Sequence, residues 1–158
     1  MDFDGFKIRT AVASTATCPR VTFQEVDVLH AEYPACDHVL MLDVLHYLPM
    51  DAKERVLARA WNAMCPGGTL VLREAMSAES RAHRRVRIFE RWAVWLGQNR
   101  TAHGLHFATR ETYENLLRKT GFAEIQYRAE GGLGSNGLLI ARRAENLMPT
   151  NRTASFDG

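Results

Sequence analysis

One stretch constrains this chain more than any other: Cys36 to Pro49, CDHVLMLDVLHYLP. Val39, Leu40, Met41 and Leu42 form a short unbroken apolar run between Asp37 and Asp43. A run of that length predicts a strand buried on both faces, as in a parallel sheet covered by helices. It is too short for a core helix. Asp43 then falls where the strand emerges from the core. In open parallel sheets ligands bind outside the carboxyl ends of the strands. Asp43, Val44, Leu45, His46 and Tyr47 are therefore candidates for the edge of a small-molecule site.

The segments after Pro49 repeat that logic. Asp51 and Glu54 have the spacing of a capping box, with Asp in place of the usual Ser or Thr, and predict a helix start. Val56, Leu57, Ala60, Trp61 and Met64 make its apolar stripe. Pro66-Gly67-Gly68 ends the helix and turns into a strand over Thr69–Arg73, with Glu74 at its carboxyl end. Ser77–Gln98 reads as a long helix, with Arg84, Arg87 and Arg91 on one face and Phe89, Trp92, Ala93 and Leu96 on the other. Thr109 caps a further helix whose inward positions are Tyr113, Leu116 and Leu117, and Gly121 ends it in a left-handed cap. Phe122–Tyr127 and Gly137–Arg142 are two more strands. At the start, Asp4 caps a helix with Ile8, Val12 and Thr15 on one face, Met1–Phe3 reads as the tail of a strand, and Val21–Phe23 reads as a short strand. From Ala144 onward no apolar period remains, which predicts a mobile tail.

The order and spacing of DHVLMLDVLHYL, MCPGGTLVLRE, FATRETYENLLRKTGF and GLLIARR resemble the class I S-adenosylmethionine-dependent methyltransferases. The resemblance covers most of residues 1–143, one domain, with 144–158 as the tail. It implies an α/β, Rossmann-like methyltransferase fold with a mostly parallel sheet and a C-terminal antiparallel strand. The family's first strand and its glycine-rich loop have no counterpart here; they are expected upstream of Met1, so the chain reads as N-terminally incomplete. It implies S-adenosylmethionine as cofactor. Asp2 matches the acid that holds the ribose hydroxyls, Phe3 packs against adenine, and Asp27 with Val28 receives the adenine edge. Asp43 completes the cofactor edge. A carboxylate with two acceptor oxygens suits a pair of adjacent hydroxyls. The alternative for Asp27 is a turn former, since Asp is common in loops.

His46 follows Asp43 on the same edge and is the candidate general base for a substrate hydroxyl. The acceptor expected is a small molecule or lipid-like compound, because the edge is apolar and the Ser77–Gln98 helix, read as a lid, is aromatic. The rival reading is a catalytically inactive methyltransferase-like module that binds a partner through an open sheet edge. A nicotinamide oxidoreductase is disfavoured because no Tyr-x-x-x-Lys relay is present. Removing the first strand would leave the central strand with one unpaired edge, so self-association through that edge is expected.

Several classes drop out. The net charge is +2, and the six arginines between residues 77 and 100 lack interleaved exposed aromatics, so no nucleic-acid role is expected. Cys18, Cys36 and Cys65 show no CxxC spacing, and His103 and His106 lack a third ligand, so no metal is expected. Reduced thiols fit a cytoplasmic protein. No apolar run approaches membrane-spanning length, so no integral membrane segment is expected. Gly132, Gly134 and Gly137 satisfy G-x-G-x-x-G, but a strand follows them, whereas a nucleotide loop opens a helix.

Overall fold

The computed structural model describes residues 1–15, 17–76, 105–129 and 136–145. The Ser77–Gln98 helix, its arginines, His103, the tail from 146 and most of the glycine motif lie outside these residues. Gly137 is described, and it belongs to a strand as expected.

In chain order the elements are α1 (Gly5–Ser14), β1 (Cys36–Leu42), a single 3-10 turn (Leu45–Tyr47), α2 (Met50–Ala63), β2 (Met64–Ala75), α3 (Arg110–Thr120), β3 (Phe122–Ala129) and β4 (Asn136–Arg143). The strands form one sheet in the order β1-β2-β4-β3. The β1–β2 ladder is parallel, and β4 runs antiparallel to both β2 and β3. Strand β4 is thus the antiparallel closing strand that the sequence led us to expect.

Alternation along the ladders decides which side is buried. Leu70 pairs with Ala141, Leu72 with Leu139 and Glu74 with Gly137, and all six are buried. Val39 and Met41 sit beside Leu70 and Leu72 on the same face. Val56, Leu57 and Ala60 of α2 join Tyr113, Leu116 and Leu117 of α3 in the core over it. Truncating a fully buried leucine such as Leu57 to alanine costs about 2–5 kcal/mol in sites of this kind.

Four expectations need correction. Strand β1 is not buried on both faces, for Leu40 is 68% and Leu42 49% exposed. It stands at the end of the strand order, and no described element covers its outer face. Val21–Phe23 is not a strand; Val21 N–H instead closes a turn onto Cys18 O at 3.2 Å. Asp51 does not cap α2. Pro49 is the N-cap and offers no side-chain bond, while Asp51 pairs with Arg55 one turn on. The Pro-Gly-Gly run does not end α2 either, because the helix stops at Ala63 and β2 runs through it. That run makes a bulge against Cys36–His38, and a Cβ on Gly68 would strike Asp37 O.

The last helix forms as its sequence dictates. Thr109 Oγ1 accepts from Thr112 N–H at 3.1 Å, and Gly121 takes φ 107° at the other end. An alanine there would be strained and would press on the Trp61 indole, 3.0 Å from the added carbon.

Candidate active site

Because β1 and β2 are parallel neighbours, their carboxyl ends emerge side by side. Asp43 N–H continues the ladder onto Arg73 O at 2.9 Å. The chain then turns sharply, with Asp43 at φ 55°. Asp tolerates this left-handed conformation better than most residues. Asp43 also binds the Arg73 guanidinium at 2.8 Å.

The turn brings the 3-10 segment directly over Glu74, the last inward-facing charge of β2. One Glu74 oxygen accepts from Val44 N–H at 2.9 Å and Leu45 N–H at 2.6 Å. The other accepts from His46 N–H at 3.2 Å and faces His46 Nδ1 at 2.7 Å. Glu74 is fully buried and His46 only 4% exposed. A buried carboxylate is costly unless its lone pairs are filled, and here four donors fill them. A carboxylate only accepts, so an ionised Glu74 calls for a proton on Nδ1, and in the neutral ring Nε2 is then the acceptor.

Rings and a second charge complete the surroundings. Phe107 lies almost parallel to His46, 9° between planes and 5.8 Å between centroids. Tyr47 tilts against the same ring at 4.0 Å. Residues 105–109 reach this point because Met76 and Ala108 form a parallel bridge and His106 N–H donates to His46 O at 2.7 Å. Lys53 of α2 is fully buried beneath. Burial pushes its ammonium below the ordinary lysine range, and the negative charge of Glu74 partly opposes this. Burial likewise pushes the Tyr113 phenol well up, with Glu74 adding to the effect.

The other anticipated residues gather elsewhere. Asp2 forms a parallel bridge with Glu25, through Asp2 N–H to Gln24 O at 3.1 Å and Val26 N–H to Asp2 O at 2.9 Å. This brings Asp2 and Phe3 close in space to the segment leading to Asp27. One Asp2 oxygen accepts from Asp4 N–H at 2.9 Å, and Phe3 is 49% exposed. Asp27 closes its own turn onto Leu29 N–H at 2.8 Å, with His30 Nδ1 at 3.4 Å. Val28 packs partly against the core.

Among the described residues no three His, Cys, Asp or Glu side chains come together to hold a metal. Nor is any described helix long and apolar enough to cross a membrane.

Residues 6–123 match the O-methyltransferase domain family. The chain belongs to that family. A search of curated sequences gives no match. Among solved structures, the domain resembles the apo form of the S-adenosylmethionine-dependent methyltransferase SibL, with TM-score 0.67 and 21% identity over 87% of this chain and 40% of that one. It also resembles the N-methyltransferase NodS from Bradyrhizobium japonicum WM9 in complex with S-adenosyl-L-homocysteine, TM-score 0.66 and 20% identity over 91% of this chain and 65% of NodS. The mitomycin 7-O-methyltransferase MmcR gives TM-score 0.67 and 20% identity over 86% of this chain and 38% of MmcR. The fold is therefore that of a methyltransferase, and this chain spans between about two-fifths and two-thirds of those proteins.

Lys53 and Phe107 are residues that sequence reasoning did not place at the site, and Glu74 was placed on the ligand edge without a role. A signal existed for Glu74 and for Lys53. Glu74 ends an inward-facing alternation after Leu70 and Leu72. Lys53 falls on the apolar stripe of α2, three and four residues before Val56 and Leu57.

Proposed function

We propose that the domain transfers a methyl group from S-adenosylmethionine to the hydroxyl of a small-molecule or lipid-like acceptor, with His46 as general base. The observation that supports this reading is the buried Glu74–His46 pair, in which the carboxylate faces Nδ1 at 2.7 Å; with the proton on Nδ1, Nε2 is the ring nitrogen left to accept. When bound, S-adenosylmethionine supplies an electrophilic methyl group on a sulfonium. His46 Nε2 would take the acceptor's proton and so keep the acceptor oxygen nucleophilic toward that methyl group. Glu74 holds the ring upright through Nδ1–H and balances the charge that the ring gains. Phe107 and Tyr47 keep water from the imidazole.

Asp2 and Phe3 would hold the ribose and adenine, joined by Asp27 and Val28. The Asp2–Glu25 bridge supports this grouping, and the second Asp2 oxygen makes no hydrogen bond among the described residues. Asp27 fits less well, since its carboxylate is engaged by its own turn. Asp43, tied to Arg73, borders the cofactor edge. No described glycine-rich turn links a strand to a helix, so no residue is assigned to the methionine portion.

His46→Asn tests the reading. In a preparation that methylates its acceptor, transfer should fall about 10²–10⁴-fold, the usual worth of a positioned base. Cofactor affinity should stay within about twofold. Transfer at the parent rate would remove His46 from the chemistry.

We assign the domain to the cytoplasm, supported by its free cysteines, two exposed and one half-buried. Strand β1, outermost in the sheet and carrying exposed Leu40 and Leu42, supports self-association of the isolated chain through that edge. Sedimentation should find dimers or larger species; a monomer would refute this.

A further inference from the structure

We infer that Lys53 is a positioning residue that locks the turn carrying His46 to the segment carrying Phe107. Its ammonium donates to Leu48 O at 2.7 Å and to His106 O at 2.6 Å. Leu48 ends the His46 turn, and His106 immediately precedes the ring stacked on His46. One buried cation therefore holds two backbone segments that have no regular ladder between them. Among the described backbone hydrogen bonds, only His106 N–H to His46 O joins them otherwise.

The location favours this role over a merely tolerated charge. Lys53 starts the apolar stripe of α2, where Val56, Leu57 and Ala60 are all buried. An apolar residue there would satisfy packing and avoid the cost of burying an ammonium. What an apolar residue would not do is bind two inward-facing carbonyls. Without that ammonium both carbonyls would lose this donor. The negative charge of Glu74 opposes, without outweighing, the effect of burial on this ammonium. Lys53 thus reaches the site through backbone oxygens and contacts no reacting atom.

The catalytic consequence rests on His46 being the base, but the geometric claim does not. Two measurements separate them. In the parent chain labelled with ¹⁵N and ¹³C, the Lys53 ammonium should give a signal protected from exchange. Hydrogen-bond couplings should link it to the Leu48 and His106 carbonyl carbons. An ammonium exchanging as fast as those of surface lysines, with neither coupling, would overturn the inference without any variant.

Lys53→Met keeps the side-chain length and removes the donors. It should abolish the ring-to-ring nuclear Overhauser contacts between His46 and Phe107. A core variant of matched Tm, Leu57→Val or Leu57→Ala, should retain them. Contacts kept in Lys53→Met, or lost equally in the core variant, would overturn the inference. In a preparation that turns over, Lys53→Met should lower kcat by about 10²-fold, the usual effect of small misplacement, with cofactor affinity unchanged. Should His46→Asn leave transfer intact while Lys53→Met loses the ring contacts, the base assignment fails and the lock stands.

Discussion

The two regions that the proposed function uses are built in opposite ways. Around His46 the buried charges are answered: Glu74 by four donors, Lys53 by two carbonyls. Around Asp2 and Asp27 each carboxylate accepts from a backbone N–H two residues on, α1 has no buried residue, and Phe6 is 70% exposed. A network of buried charges has few alternative arrangements, because each broken contact strands a desolvated partner. A carboxylate held by one nearby backbone N–H can exchange that partner for water or a ligand at little cost. The contrast suits a base that must be held still and a cofactor that must come and go.

The largest expected effect tests the rigid end. Glu74→Ala removes the acceptor for three backbone N–H groups and the His46 ring. At about 1–3 kcal/mol for each stranded donor, a loss of at least about 3 kcal/mol is expected. That corresponds to a Tm fall of about 6–12 °C for a domain of this size. A fall under about 2 °C would mean that the turn finds other partners.

The open end should respond in binding and not in stability. Asp2→Ala and Asp27→Ala should each weaken cofactor binding by about 1.5–3 kcal/mol, the worth of a hydrogen bond to a charged group. Calorimetric titration of a cofactor-binding preparation reads this, and Tm should stay within about 2 °C. Unchanged affinity in both would confine these acids to their turns.

Smaller still is the effect of uncapping α1. Asp4 accepts from Phe6 N–H at 2.9 Å and Lys7 N–H at 3.4 Å. Asp4→Ala costs the helix about 1 kcal/mol. Because α1 buries nothing, hydrogen exchange should quicken within residues 5–14 while the global Tm hardly moves. A matching fall in global stability would show that α1 is coupled to the sheet.

The smallest effect belongs to α3. Hydrogen bonding to Arg110, aided by Arg118, holds the Glu114 carboxyl below the ordinary glutamate range. A folded-state value below the unfolded one gives stability that is present above the unfolded pKa, about 4.3. It is lost as pH falls through the folded value. Two helix pairs of this kind contribute about 0.5–1 kcal/mol together. Glu114→Gln should flatten that part of the acid limb in a pH series of urea midpoints, and an unchanged limb would discount both pairs.

Local signals made much of this fold legible. Thr109 and Gly121 mark the two ends of α3 through chemistry contained in a few residues. The Val39–Leu42 run locates β1, and Asp4 locates the start of α1. Errors arose where three residues had to speak for a ladder, as at Val21–Phe23, or where Pro49 displaced Asp51 from the cap. Burial of β1 was overestimated because apolar composition does not distinguish a central strand from an outer one. In the site, His46 and Glu74 were each visible on the ligand edge, but not as a pair. Their meeting depends on the parallel register that sets Leu42 beside Arg73. Lys53 was hidden by the expectation that lysines are solvated, although its helical position put it among buried residues.

The central claim is that Glu74 fixes the proton of His46 on Nδ1 and leaves Nε2 as the acceptor. The long-range ¹H–¹⁵N correlation pattern of the His46 ring, recorded on the unliganded chain near neutral pH, tests it most directly. A pyridine-type nitrogen at Nε2 and a protected pyrrole-type N–H at Nδ1 are expected. A ring protonated on Nε2 alone would contradict the claim, for Glu74 would then face a bare nitrogen and the base would have no lone pair to offer.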